Sequence, residues 1–261
     1  MNYEFCARTD PGLVRGNNED SLTFDAPAQL AVLADGMGGY NAGEVASGMA
    51  TAFIASELAR WLGQAGKQAH GKDVQRAMQI CVENANRSIF HAATTNAQYA
   101  GMGTTLVVAV FHQSRLILGH VGDSRCYRFR DGQLFQLTKD HSLLQEQMDA
   151  GLITPEQAAT SLNKNLVTRA LGVDDSVLLE INEHRLESGD LYLLCSDGLT
   201  DMVDDVSLAH ILASDRTMDA MADECIRQAN EQGGRDNVSV LLVKVAEAAP
   251  KKGFLARWLR N

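Results

Sequence analysis

The sequence predicts an α+β fold, with two antiparallel sheets packed together and helices covering their outer faces. Short apolar runs recur at close spacing with turn residues between them, which suits hairpin-joined strands better than βαβ units. Two long stretches with apolar residues at helical spacing follow one another directly, so the helices come in pairs between blocks of strands. Asp131-Gly132 sits between two alternating runs, a hairpin signal.

The elements follow in order. Residues 3–10 and 21–26 are short β-like runs, and 29–36, "QLAVLADG", reads as a buried strand. Residues 42–62 place Val45, Met49, Phe53 and Ile54 on or near one face of a helix, and 72–93 form a second helix of similar length. Strands are expected over 103–112, 115–125 and 126–138. Residues 141–172 combine a helical piece with a looser polar stretch. Strand-like runs over 178–186 and 190–203, a helix over 218–234 and a closing strand over 237–245 complete the core. Residues 1–247 read as one domain, and 248–261 as a separate tail after Pro250. In that tail Phe254, Leu255, Trp258 and Leu259 share one helical face beside Lys251, Lys252, Arg257 and Arg260. The tail is read either as a weak membrane-surface or partner-docking helix or as a segment that packs on the body or stays in solution.

Composition narrows the function. No run of apolar residues is long enough to span a bilayer, and the N-terminus lacks a basic region followed by an apolar one, so a cytoplasmic protein is expected. The five cysteines are scattered without a CxxC pair, which suits small buried hydrophobes in a reducing compartment better than a thiol nucleophile or a zinc site. A net charge of −10 without a basic patch in the body of the chain argues against nucleic acid.

The excess acid is not randomly placed. Asp35, Asp123 and Asp197 each follow an apolar run and precede Gly or Ser; Glu19 and Asp20 flank a turn, and Asp236 precedes the last strand. One Asp after a strand is ordinary turn chemistry. Several carboxylates gathered at converging strand ends repel one another unless a cation lies among them, and hard Mg²⁺ or Mn²⁺ suits oxygen ligands. Two such ions polarise a phosphoryl oxygen and activate a water, which points to phosphoester hydrolysis. Arg15 is the candidate for the phosphate, since its guanidinium fork matches phosphate geometry.

At these residues the chain resembles the metal-dependent serine/threonine protein phosphatases, the PPM or type 2C family, in their compact bacterial form. The resemblance rests on eight stretches in the family's order: "RGNNED", "ADGMGG" with "GEVAS", "GTT", "GHVGDSR", "LTKDHS", "VTRALG", "LLCSDGLTD" and "GGRDNVSV". It implies a β-sandwich flanked by paired helices, four layers in the order α-β-β-α, with metals at one end. It implies that Asp35 bridges two ions (Mn²⁺ or Mg²⁺), that Asp197 and Asp236 complete the first, and that the Gly36 carbonyl serves the second. Glu19 and Asp20 are then inner or water-mediated ligands, Asp123 with Asp197 matches a third ion site, and Arg15 matches the phosphate-binding arginine. Residues 143–167, including Leu143, Gly151 and Val167, match a mobile flap that influences substrate choice.

The implied reaction is hydrolysis of phosphoserine and phosphothreonine by direct attack of a metal-bridging water, with phosphorylated proteins as substrates. The implied partners are a cognate serine/threonine kinase and its substrates, and the expected state is a monomer. A non-catalytic phosphoprotein-binding module is the competing reading, but it should have lost one of Asp35, Asp197 and Asp236, and all three are present. Two departures stand out. Animal members carry a histidine, proposed as general acid, where this chain has Met37, which has no proton to donate. Many bacterial relatives carry a histidine where this chain has Tyr40, which packs or hydrogen-bonds phosphate. His120 and His141 lie beside motif residues and read as structural rather than catalytic.

Overall fold

The computed structural model describes residues 1–38, 42–159, 161 and 166–246. Two antiparallel sheets face each other. The first has the order β1 (Asn2–Asp10), β11 (Val238–Ala246), β10 (Leu191–Cys195), β7 (Arg125–Arg130) and β8 (Gln133–Gln136). The second runs β2 (Asp20–Asp25), β3 (Leu30–Met37), β5 (Leu106–His112), β6 (Arg115–Val121) and β9 (Glu180–Arg185), and the short β4 (Gly103–Thr104) pairs with the end of β3. The hairpin expected at Asp131-Gly132 is present, with φ of 51° and 77°: both residues are left-handed, as a two-residue turn with the sheet's own twist requires.

The near-continuous apolar runs have a direct cause. Side chains alternate faces along a strand, and here both faces are covered. In β3, Ala31 and Leu33 point into the space between the sheets, while Leu30, Val32 and Ala34 meet the helices. β5 divides the same way, with Val107, Ala109 and Phe111 inward and Leu106, Val108 and Val110 toward the helices. β11 repeats it in the first sheet: Leu241, Val243 and Val245 face inward, and Val238, Val240 and Leu242 face outward.

Helices α1 (Ala42–Ala65) and α2 (Gly71–Thr95) cover the second sheet. Small residues at Ala46 and Ala50 let α1 lie close on β3. The carboxylate of Asp73 accepts the His70 N–H at 2.8 Å and so fixes the start of α2. On the other side, α5 (Asp197–Thr200), α6 (Asp205–Leu212) and α7 (Met218–Glu231) cover the first sheet. The four layers are therefore those expected. The strand-like run expected over 190–203 stops at Cys195 and turns into helix α5, and helix α6 has no counterpart among the elements expected from sequence; Asp204 starts α6 by accepting the Ser207 N–H at 2.7 Å. Two short helices, α3 (Leu143–Asp149) and α4 (Pro155–Ala159), lie in the segment between β8 and β9. All five cysteines are buried and unpaired, as expected of small apolar side chains. The tail at 248–261 lies outside the described residues.

Candidate metal centre

Strands β3, β6 and β10 end where β2 and β11 begin. Asp20 lies directly across the ladder from Asp35, and the end of β1 faces Val238. The carboxylates picked out in the sequence thus meet at one end of the sandwich. A cleft of about 210 Å³ opens there. Asp35, Asp123, Asp197 and Asp236 line it from the strand ends, with the Gly36 backbone beside them. Arg15, Glu19, Met37 and Val167 complete its wall. Asp20 sits in the same group, its Oδ2 accepting from the Ser196 hydroxyl at 2.7 Å.

Local bonds aim these groups. The Asp35 N–H donates to Thr105 Oγ1 at 3.0 Å, and its carbonyl accepts from the Thr105 N–H and the Thr104 hydroxyl, both at 2.8 Å. Its backbone is therefore held on both sides. Thr105 Oγ1 also pairs with Ser124 Oγ at 2.8 Å, which ties Asp35 to the turn carrying Asp123. Asn237 clamps the loop of Arg15 and Glu19: its Oδ1 accepts the Glu19 N–H at 2.7 Å, and its amide donates to the carbonyls of Pro11 and Asn17 at 3.0 and 2.9 Å. Arg15 Nη2 donates to Asp236 Oδ2 at 2.6 Å.

The glycines serve close approach. A Cβ on Gly36 would lie 2.1 Å from the Gly43 carbonyl oxygen, and one on Gly43 would lie 2.4 Å from Glu19 Oε2. Only glycine lets the end of β3, the start of α1 and Glu19 meet.

The electrostatics of this cluster are costly. Burial, and then the surrounding carboxylates, push Asp35 and Asp197 well above the usual carboxylate range. Burial raises Asp20 and Asp123 to about 6 each. Asp20 Oδ1 is buried and has no hydrogen-bond partner among the described residues. A divalent cation held by these carboxylates would offset the repulsion and give the open oxygen a partner, directly or through water.

The other candidates fall elsewhere. His141 lies behind the Asp123 turn, stacked on His120 with ring centroids 4.7 Å apart and planes within 19°. Its Nδ1 accepts the Gly122 N–H at 3.2 Å, and Nε2 lies 3.3 Å from Glu180 Oε2. His120, His141 and Glu180 bring potential ligand atoms within 4.8 Å of one another. Near-parallel rings aim their lone pairs along separate planes, however, so the pair reads as packing. Of the 143–167 segment, Val167 reaches the cleft, whereas Leu143 and Gly151 do not line it. Leu143 instead donates its N–H to the Leu166 carbonyl at 2.9 Å and closes the base of the segment. Tyr40 lies outside the described residues. Thr105, Ser196, Asn237 and Gly43 also build the site, and each stands inside one of the eight family-like stretches. Their part depends on partners far away in sequence.

Comparison with known proteins gives the family and the fold. The family model for protein phosphatase 2C matches residues 15–242. The serine/threonine phosphatase stp of Listeria innocua is 39% identical over 251 residues, covering 94% of this chain and 96% of that protein. The serine/threonine protein phosphatase PstP of Mycobacterium tuberculosis is 41% identical over 244 residues, covering 93% of this chain and 45% of that longer protein. A crystal structure of the Mycobacterium tuberculosis phosphatase superposes with a TM-score of 0.87 at 38% identity, covering 95% of this chain and all of that one. Another, of the PstP catalytic domain in complex with two manganese ions, gives a TM-score of 0.80 at 38% identity, covering 94% of this chain and 99% of that one. A four-layer sandwich with a carboxylate cluster at its end is the architecture of a metal-assisted phosphatase. The chain belongs to the protein phosphatase 2C family.

Proposed function

We propose that this protein is a manganese- or magnesium-dependent serine/threonine protein phosphatase, with residues 1–247 as its catalytic unit. The observation that carries the reading is the carboxylate cluster, whose buried, mutually repelling members call for cations. Asp35, Asp197 and Asp236 would hold the first ion, Asp35 with the Gly36 carbonyl the second, and Asp123 with Asp197 a third. Glu19 and Asp20 support the same centre directly or through water. Bound there, divalent ions supply charge neutralisation and polarise the phosphoryl group toward attack by water.

The chain's own residues do the rest. Arg15, half-exposed at the cleft wall, offers its guanidinium to the phosphoryl oxygens, and Asp236 holds it in place until substrate arrives. Thr105 and Asn237 keep the ligand-bearing backbone fixed, so little reorganisation is needed during the reaction. Met37 lines the cleft but has no proton to give, and Arg15 stays charged throughout. The proton for the leaving oxygen must therefore come from another source, for which a water in the cleft is our reading.

On this reading the substrates are phosphoserine and phosphothreonine in proteins, and the enzyme opposes a serine/threonine kinase. Residence in the cytoplasm and a monomeric state belong to the same proposal. No described helix is long and apolar enough to cross a membrane. Docking of the basic tail on a membrane surface or partner is part of it too, and is read by deleting residues 248–261. The central test is hydrolysis of p-nitrophenyl phosphate and of a phosphothreonine peptide. Activity should require added Mn²⁺ or Mg²⁺ and be lost in Asp35→Ala and Asp197→Ala. Full activity in chelator would overturn the reading.

A further inference from the structure

Two large apolar side chains stand in the open next to Arg15. Leu13 is 69% exposed and Val14 68%, and the chain runs directly from them to Arg15 at the wall of the carboxylate-lined cleft. Among the described residues neither side chain joins the apolar layers of the sandwich. We propose that Leu13 and Val14 form a ledge beside the cleft that receives an apolar side chain of the substrate, from a position close in sequence to the phosphorylated residue. The inference rests on the phosphatase reading and adds to it a preference for phosphoproteins with an aliphatic or aromatic neighbour beside the reacting residue.

The loop that carries them is fixed. Asn237 holds both of its ends by donating to the carbonyls of Pro11 and Asn17, at 3.0 and 2.9 Å. The Gly12 N–H donates to Asp10 Oδ1 at 2.9 Å, and the Leu13 N–H to the Gly234 carbonyl at 2.7 Å. Close packing adds to these bonds. A Cβ on Gly12 would lie 2.3 Å from the Asp236 carbonyl oxygen, and one on Gly234 would lie 2.8 Å from Leu13 Cγ. The Leu13 side chain therefore rests on the backbone of the turn that leads to Asp236, and Asp236 in turn holds Arg15 at 2.6 Å. Its place relative to both is set before substrate arrives. Exposure on a segment so firmly tied is a presented surface, unlike that of a loose loop tip.

Reach and chemistry both favour the substrate peptide as the occupant. Consecutive Cα atoms are about 3.8 Å apart, so the backbone at Leu13 and Val14 lies within about 8 Å of that at Arg15. An extended peptide advances about 3.3 Å per residue, so one to three positions from the phosphorylated residue cover the same span. A guanidinium binds a phosphoryl group whatever peptide carries it, and so separates one phosphoprotein from another poorly. An apolar ledge beside it supplies that discrimination. A leucine laid on Leu13 and Val14 removes apolar surface from water on both sides, and an alanine removes less.

The test uses the full chain with Mn²⁺ and a set of phosphothreonine peptides. Each peptide carries Leu, Ala or Lys at one of the three positions on either side of the phosphothreonine. At one or two positions kcat/KM should favour Leu over Ala by roughly threefold to tenfold, the range of an open apolar contact, and the preference should persist in high salt. The double variant Leu13→Ser, Val14→Ser should remove that preference. Leu13→Asp should make Lys the better residue at the same position. Because each readout is a ratio between peptides on one enzyme, a general loss of activity does not imitate it. Equal rates for Leu and Ala at every position, or a Leu preference unchanged in both variants, would overturn the ledge. So would a protein that self-associates in analytical ultracentrifugation and becomes monomeric in Leu13→Asp with its peptide ratios unmoved, since the ledge would then cover a second copy of the chain. Failure to hydrolyse p-nitrophenyl phosphate with Mn²⁺ would overturn the phosphatase reading itself, and the ledge with it.

Discussion

Arg15 and Asp236 form an ion pair that is weak as architecture and useful as machinery. Both side chains are partly exposed, at 52% and 28%, so the 2.6 Å contact adds little to stability. Arg15→Ala should therefore fold with nearly unchanged Tm. Its effect should fall on substrate binding: loss of a charge-assisted pair to the phosphate raises KM for a phosphopeptide by about tenfold to a hundredfold, read by steady-state kinetics at fixed Mn²⁺. Gly43 makes the opposite case. Alanine is the better helix former by about 1 kcal/mol. Here, however, its Cβ would meet Glu19 Oε2 at 2.4 Å and the Gly36 carbonyl carbon at 2.8 Å. The second contact is backbone and does not swing away. Gly43→Ala should lower stability by about 1–3 kcal/mol in a denaturant titration and raise the Mn²⁺ needed for half-activation.

At the scale of elements, the strand-end aspartates were legible because their signal is local. An apolar run stops at a carboxylate followed by Gly, and β3 and β10 each show this within a few residues of sequence. The contacts that aim them were not legible. Ser196 reaches Asp20 across 176 positions, and Asn237 reaches Glu19 across 218. No periodicity encodes such pairs. Helix α6 was missed because Asp204-Asp205 reads first as turn chemistry, and its buried Leu208, Ile211 and Leu212 supply barely two turns of pattern.

His141 shows the same limit in a functional setting. Its N–H donates to the Gly122 carbonyl at 2.9 Å, its carbonyl accepts the Thr168 N–H at 2.8 Å, and its ring takes the Gly122 N–H. One residue thus joins the Asp123 turn to both ends of the 143–167 segment, whose base is closed by the Ser142–Val167 bridge. His141→Ala should leave Gly122 N–H without its partner and cost about 1–3 kcal/mol in stability. It should also shift the Mn²⁺ activation curve to higher concentration, since Asp123 loses its fixed backbone. A Tm drop with an unmoved activation curve would assign His141 to packing alone.

The whole molecule holds its carboxylate cluster against its own electrostatics, and that balance gives a pH dependence. Asp20 and Asp123 are raised to about 6 by burial, and Asp35 and Asp197 well above the normal range. A group whose folded pKa exceeds its unfolded value favours folding below the unfolded value, near 4 for aspartate, and loses that contribution as pH rises through the folded pKa. The metal-free protein therefore carries growing strain between about pH 4 and pH 6. Mn²⁺ removes it by pairing with the ionised carboxylates, and stabilises by mass action through its binding. Below about pH 6 protons compete for the same oxygens, and each proton displaced costs about tenfold in metal affinity per pH unit. His141 and His184, held below the usual histidine range chiefly by burial, act in the opposite sense, losing stability as pH falls below about 6.5. They are present with and without metal, so they cancel in the difference. The rise in Tm on adding Mn²⁺ over chelator should therefore be clearly larger at pH 7.5 than at pH 5.5 when both are measured by calorimetry at equal ionic strength. In Asp35→Asn the Mn²⁺ shift should itself collapse at both pH values, because on the proposed reading Asp35 holds both core ions. An equal Mn²⁺ shift at both pH values in the unmodified protein would show that ionisation of these aspartates does not govern metal uptake.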